Sequence, residues 1–218
     1  MTKPFRDGPV AIREILGKGL LQIGAVEIRP DEPFTWSSGW KSPIYCDNRL
    51  TLSYPLLRDR IADGFSQIIT DDCPGVDVIV GAATGGIAHA AIVADRLGLP
   101  TAYVRSSAKD HGRQRRIEGR VPRGASAIVI EDTLSTGASA YSVVSALQDE
   151  GVHVLGVCAI LSYDFEQAAL KAADSHVPAW RLVDYDALIG TAGKEGYVAA
   201  EAMERLLWWR QQPDSYGV

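Results

Sequence analysis

The chain has little cysteine, no surplus of positive charge and no long hydrophobic run. Its three cysteines, Cys46, Cys73 and Cys158, show neither the paired spacing of a zinc site nor a disulfide framework, so they read as reduced and structural. No apolar stretch approaches the roughly 20 residues needed to cross a bilayer. Met1 to Asp7 lacks the apolar centre of a signal peptide, which points to the cytoplasm. Acidic residues outnumber basic ones, 27 to 22, and the formal charge of -5 disfavours nucleic acid as a partner. A short basic cluster, Arg113 to Arg116, is the exception. Internal repeats and low-complexity segments are absent as well.

What is present is a chain of 218 residues, 46% hydrophobic, enough for one domain with a substantial core. Apolar residues at Ile12, Ile15, Leu16, Leu20 and Ile23 recur at helical spacing, with Gly24 as the stop. Between Val26 and Leu52, Pro30, Pro33, Ser37, Ser38, Gly39 and Pro43 divide the chain into short strands and turns, an appendage that covers something. Ser53 is the expected cap of a helix running to about Thr70. Strands are then expected at Val76–Val80, Thr101–Val104, Ala125–Glu131, Val154–Leu161 and Trp180–Val183, separated by helices at Ile87–Leu97, Gly137–Glu150 and Phe165–Ala173. A last helix is expected over Lys194–Gln211. This alternation predicts an α/β fold, with a central, mostly parallel sheet flanked by helices. The polar stretch Ser106 to Arg123 interrupts it and has the character of a mobile lid.

The most informative segment follows the apolar run Ala127-Ile128-Val129-Ile130. It reads Glu131-Asp132-Thr133-Leu134-Ser135-Thr136-Gly137-Ala138-Ser139: two acids, then a small, hydroxyl-rich turn that opens a helix. Ligands of open α/β sheets bind beyond the carboxyl ends of strands. Small residues there let backbone N–H groups close around a phosphate at the helix N-terminus. The two carboxylates would repel a phosphate but can accept hydrogen bonds from vicinal sugar hydroxyls. A ribose 5-phosphate satisfies both halves of the segment.

The segment resembles the phosphoribosyl-diphosphate-binding motif of the type I phosphoribosyltransferases, and the resemblance implies that family's fold with a small N-terminal hood. Two further segments resemble the orotate phosphoribosyltransferases within it. Phe34-Thr35-Trp36-Ser37-Ser38-Gly39 with Lys41-Ser42-Pro43-Ile44-Tyr45 resembles their hood, and Arg105-Ser106-Ser107-Ala108-Lys109-Asp110-His111-Gly112 with Ile117-Glu118-Gly119 resembles their flexible catalytic loop. The implied organisation is a single domain over residues 1–218, with a hood at about 24–52 and a catalytic loop at about 106–119.

The resemblance assigns Lys109, His111 and Asp132 to catalysis. It assigns phosphoribosyl diphosphate to Arg105, Lys109, His111, Thr84, Gly85 and the run Glu131 to Ser139, and orotate to Phe34, Ser37, Ser38, Gly39 and Ser135. Mg²⁺ is expected as cofactor, arriving with the substrate and held near Asp132 with few protein ligands. The implied partners are these two small molecules and a second copy of the chain whose lid reaches across, with no nucleic acid and no membrane. Independently of the family, Arg105, Lys109 and His111 suit a departing diphosphate, on which negative charge accumulates. Gly81-Ala82-Ala83-Thr84-Gly85-Gly86, a glycine-rich turn between a buried strand and a helix, suits a second anion site.

The sequence departs from the family pattern at several points. Ala138 stands where many members have glycine, and Ser106, Ser37 and Gly85 stand where some have lysine. Phe165 takes the place of an arginine that meets the orotate carboxylate in some members, which leaves the hood backbone and Ser135 to hold that group. Two other readings share the motif: a phosphoribosyltransferase for another base, which would not need the hood, and a regulator sensing phosphoribosyl diphosphate, which would use Arg113, Arg115 and Arg116 on nucleic acid.

Overall fold

A computed structural model describes residues 5–36, 39–106 and 116–216. Seven strands form the main sheet: β1 (Phe5–Asp7), β6 (Val78–Ala82), β7 (Thr101–Val104), β8 (Ile117–Glu118), β9 (Ser126–Leu134), β10 (His153–Ser162) and β11 (Ala179–Asp184). They lie in the order β1-β11-β10-β9-β6-β7-β8. All neighbours are parallel except β8, which runs antiparallel to β7.

Successive residues of a strand face opposite sides, and β9 shows how this divides the core. Ile128 and Ile130 belong to one buried cluster, Ala127 and Val129 to another. The first cluster is covered by α1 (Val10–Gln22), α2 (Pro55–Asp72) and α3 (Gly86–Leu97), together with α6 (Tyr185–Lys194) and α7 (Ala200–Gln211). The second is covered by α4 (Ala138–Asp149) and α5 (Glu166–Ser175). Burial on both faces is why these strands read as continuous apolar runs.

The stretch between α1 and α2 forms two antiparallel ribbons. β2 (Val26–Ile28) pairs with β5 (Ile44–Cys46), and β3 (Phe34–Thr35) pairs with β4 (Lys41–Ser42). A 3-10 helix, Asn48–Ser53, leads from them into α2. An aromatic cluster anchors this hood to the body. Trp36 meets Tyr163 edge-on at 5.4 Å and Trp209 at 5.7 Å, while Tyr163 stacks on Phe165 at 5.3 Å. Trp209 also donates a hydrogen bond from Nε1 to the Lys41 carbonyl, 3.1 Å away.

Three sequence expectations need correction. Ser53 is not the cap of α2: it ends the 3-10 helix, and Pro55 opens α2 directly, where its missing N–H leaves no extra donor unpaired. The helix expected over Lys194–Gln211 begins only at Ala200, because Gly196 takes a positive φ of 76° and turns the chain, and a helix that was not expected, α6, precedes that turn and ends at Lys194. Strand β9 runs three residues past Glu131 to Leu134, since β10 extends alongside it and pairs Leu161 with Thr133 and Ser162 with Leu134.

Candidate active site

Because β9 reaches Leu134, Glu131, Asp132 and Thr133 are strand residues, and the turn proper is Ser135 to Gly137. Gly137 adopts φ 74°, and a Cβ there would stand 3.0 Å from the Tyr141 ring and 3.2 Å from Ala168 Cα, so glycine is needed twice over. Ala138 is already the first residue of α4 and has no positive φ, which explains why it can replace a second glycine. The turn delivers the N-terminus of α4, with its unpaired N–H groups, to the end of the sheet.

Glu131 is buried at 4% exposure. Its Oε1 accepts from the Asp132 N–H at 3.1 Å, while Oε2 has no hydrogen-bond partner among the described residues. Burial, and then the negative charge of Asp132, push its carboxyl well above the ordinary range, against the opposing effect of the Ser139 hydroxyl. Asp132 Oδ1 accepts from the Thr133 N–H at 2.9 Å. Two acidic side chains on consecutive strand residues, with Oε2 of Glu131 unpartnered among the described residues, offer polar groups to a ligand.

The glycine-rich turn after β6 packs directly on these acids. A Cβ on Gly85 would stand 2.3 Å from Asp132 Cγ, and one on Gly86 2.1 Å from the Ile130 carbonyl oxygen. Thr84, beside them, is exposed, and its peptide bond with Ala83 is cis. Two helix N-termini, those of α3 and α4, therefore open at the same end of the sheet.

Across from the motif, the hood closes a cavity of about 470 Å³ lined by Thr35, Trp36, Tyr45, Cys46, Thr133, Ser135, Thr136 and Tyr163. An aromatic and thiol wall thus faces hydroxyls of the motif. Phe34 is not in that wall: it stands behind it, its ring 5.5 Å from that of Tyr45. Gly39 has φ 88° and donates its N–H to the Trp36 carbonyl at 2.9 Å, which turns β3 into β4. Phe165, at 1% exposure, is a core residue behind Tyr163. Lys41 brings a cation near the cavity, its Nζ donating to Thr35 Oγ1 at 2.7 Å. Ser37 and Ser38 lie outside the described residues.

The two ends of the catalytic-loop segment meet at the sheet edge. The Arg105 N–H donates to the Arg116 carbonyl at 2.9 Å, and the Arg105 guanidinium is 4.0 Å from Glu118. Lys109, His111, Arg113 and Arg115 lie outside the described residues.

Three polar residues escaped the sequence reading. Asn48, fully buried, donates from Nδ2 to the Asp132 carbonyl and to Thr133 Oγ1, each at 2.9 Å. Thr51 Oγ1 donates to the Asn48 carbonyl at 2.5 Å and lies 3.2 Å from His89 Nε2 on α3. Burial lowers the His89 pKa to about 4, although the charge of Asp132 pulls the other way. The bonds that tie them to α3 and β9 span 38 to 85 residues, so no local pattern could expose them.

A family model described as a phosphoribosyl transferase domain matches residues 52–180. The chain is 50% identical over 200 residues to an orotate phosphoribosyltransferase of Bacillus pumilus, covering 92% of this chain and 94% of that protein. It is 48% identical over 202 residues to an orotate phosphoribosyltransferase of Bacillus cytotoxicus, covering 93% and 96%. Among solved structures it is similar to the orotate phosphoribosyltransferase of Aeropyrum pernix, with a TM-score of 0.73 and 29% identity over 84% of this chain and 99% of that one.

Proposed function

Since the chain belongs to the orotate phosphoribosyltransferase family, we propose that it transfers ribose 5-phosphate from 5-phosphoribosyl 1-diphosphate to orotate, giving orotidine 5'-monophosphate and diphosphate, a step of pyrimidine nucleotide synthesis. The observation that carries this reading is the cavity between hood and motif, where Trp36 and Tyr45 face Ser135 and Thr136.

The reaction breaks the bond from the anomeric carbon to the diphosphate oxygen and forms one from that carbon to N1 of orotate, which gives up its proton. The protein supplies no nucleophile. Its work is positioning and charge neutralisation. Ser135 to Ser139 hold the 5-phosphate at the start of α4. Glu131 and Asp132 accept from the ribose hydroxyls, a pairing that satisfies the idle Oε2 of Glu131. Thr84 and Gly85 hold the diphosphate at the start of α3, and Arg105, Lys109 and His111 offset its charge as it leaves. Orotate lies in the hood, with Phe34 supporting the wall and Ser37, Ser38, Gly39 and Ser135 meeting its polar edge. Its carboxylate is held by these neutral donors, with Lys41 behind Thr35 as the supporting cation.

Among the described residues no group of three or more His, Cys, Asp or Glu is placed to hold a metal ion. Asp132, with Glu131 beside it, is the group that would hold a Mg²⁺, since that ion prefers oxygen ligands and needs few from the protein. Bound there, the ion would supply charge neutralisation of the diphosphate, beside that from Arg105, Lys109 and His111.

The working form we propose is a cytoplasmic homodimer in which the lid of one subunit serves the site of the other. Tyr45, Leu50, Tyr54 and Leu56, exposed by 42, 40, 44 and 84%, are apolar surface on the hood and the start of α2 for a second copy to cover. Among the described residues no helix is long and apolar enough to cross a membrane.

The test is to offer orotate, uracil and adenine separately to the protein with phosphoribosyl diphosphate and Mg²⁺, and to follow loss of the base. Consumption of orotate alone supports the reading; consumption of adenine, or of no base, overturns it.

A further inference from the structure

The three segments that build the site are separate in sequence: the hood, the helix behind the diphosphate turn, and the motif strand. One buried polar chain joins them. Thr51 has a single hydroxyl hydrogen, and the 2.5 Å approach to the Asn48 carbonyl uses it. His89 must then be the donor to Thr51, through Nε2–H, over 3.2 Å. Asn48 in turn spends both amide hydrogens on the motif strand, one on the Asp132 carbonyl and one on Thr133 Oγ1, and its Oδ1 accepts from the Cys46 thiol at 3.3 Å. Asn48, Thr51 and His89 are at most 1% exposed.

We propose that Asn48, Thr51 and His89 act as one positioning unit, which fixes the hood and α3 against the Asp132–Thr133 segment so that the base and the anomeric carbon meet in register. None of the three lines the cavity or needs to touch substrate. Their effect passes through the backbone of Asp132 and the hydroxyl of Thr133, both at the site. Cys46, which lines the cavity, is fixed by the same amide, so the wall for the base and the strand for the ribose share one support. A side-chain amide satisfied at all three of its polar bonds permits one orientation only, and buried networks of this kind rigidify what they join.

The unit rests on the transfer reading above, so its test includes a readout that does not depend on turnover. Thr51→Val keeps the shape and removes the link; His89→Leu removes the donor; His89→Gln keeps a donor at comparable reach. Hydrogen exchange of peptides covering residues 131–134 should quicken in Thr51→Val and His89→Leu, although the hydrogen bonds of Thr51 and His89 described above go to Asn48 and to each other and not to that strand, and stay near wild type in His89→Gln. In kinetics, Thr51→Val should lower kcat about tenfold while KM for phosphoribosyl diphosphate changes by less than about threefold, the split expected when reacting groups lose alignment and binding survives. Asn48→Ala combined with His89→Leu should cost no more than Asn48→Ala alone. Unchanged exchange at 131–134 in both disruptive variants overturns the proposal, as does a double variant whose kcat losses multiply. Failure of the wild-type chain to use orotate would refute the transfer reading only, and the exchange data would still decide the unit.

Discussion

The Gly85 backbone lies so close to the Asp132 carboxylate that a Cβ on Gly85 would stand 2.3 Å from Asp132 Cγ. The turn after β6 and the acids of β9 are therefore packed together. A lysine, which some relatives of this family carry at the position of Gly85, could not be accommodated without moving Asp132.

Gly85→Ala is the direct probe of that contact. It should displace Asp132 and lower kcat/KM for phosphoribosyl diphosphate by about a hundredfold, the scale expected for a misplacement of about 1 Å. Steady-state kinetics beside a thermal melt will separate this from unfolding: the midpoint should fall by only a few degrees, because the turn lies at the end of the sheet.

Glu131 gives a pH signature. Its folded pKa is raised above the ordinary 4.5 by burial and the Asp132 charge. Its contribution to stability is fully present below about pH 4.5 and is lost as pH rises towards the folded pKa, at up to about 1.4 kcal/mol per pH unit in that window. Glu131→Gln removes this loss. The melting temperature of the variant minus that of wild type should grow as pH rises above 4.5, while affinity for phosphoribosyl diphosphate falls. A difference that stays flat with pH would contradict the assignment.

Lys41→Met tests how the orotate carboxylate is held. The stem is kept and the ammonium beside Thr35 is lost. KM for orotate should rise about three- to tenfold, equivalent to about 1 kcal/mol for a partly exposed charge acting through a neighbour, with KM for phosphoribosyl diphosphate unchanged. Equal rises for both substrates would place Lys41 elsewhere in the mechanism.

Lys109→Ala should separate turnover from binding in the opposite sense. A cation that acts on the leaving diphosphate stabilises charge formed in the transition state, so kcat should fall by about a hundredfold or more while the Kd for phosphoribosyl diphosphate rises only a few-fold. Matching losses in kcat and affinity would assign Lys109 to ground-state binding.

The sequence exposed the motif because its information is local: an apolar strand, two acids and small residues in order from Ala127 to Ser139. The covered sheet was legible for the same reason, since Val129 and Ile130 face opposite helical layers and both are buried. Edge strand β1 was missed, being three residues long with a single neighbour, β11. Helix α6 was missed because it follows β11 with no connecting loop, and the last helix was started six residues early because the turn at Gly196, with φ 76°, shows only in the backbone. Asn48 and His89 were illegible in principle, because their roles exist only through partners brought together by the fold. Phe165 was recognised as a departure, yet only packing shows that it stacks on Tyr163 and does not line the cavity under the hood.

The most direct test of the central claim is phosphorus NMR of the purified chain with Mg²⁺, phosphoribosyl diphosphate and orotate, followed by the reverse reaction from orotidine 5'-monophosphate and diphosphate. The account predicts that nucleotide and diphosphate appear in equal amounts and that both are consumed in reverse. Diphosphate released without nucleotide, or no change in either direction, would contradict it.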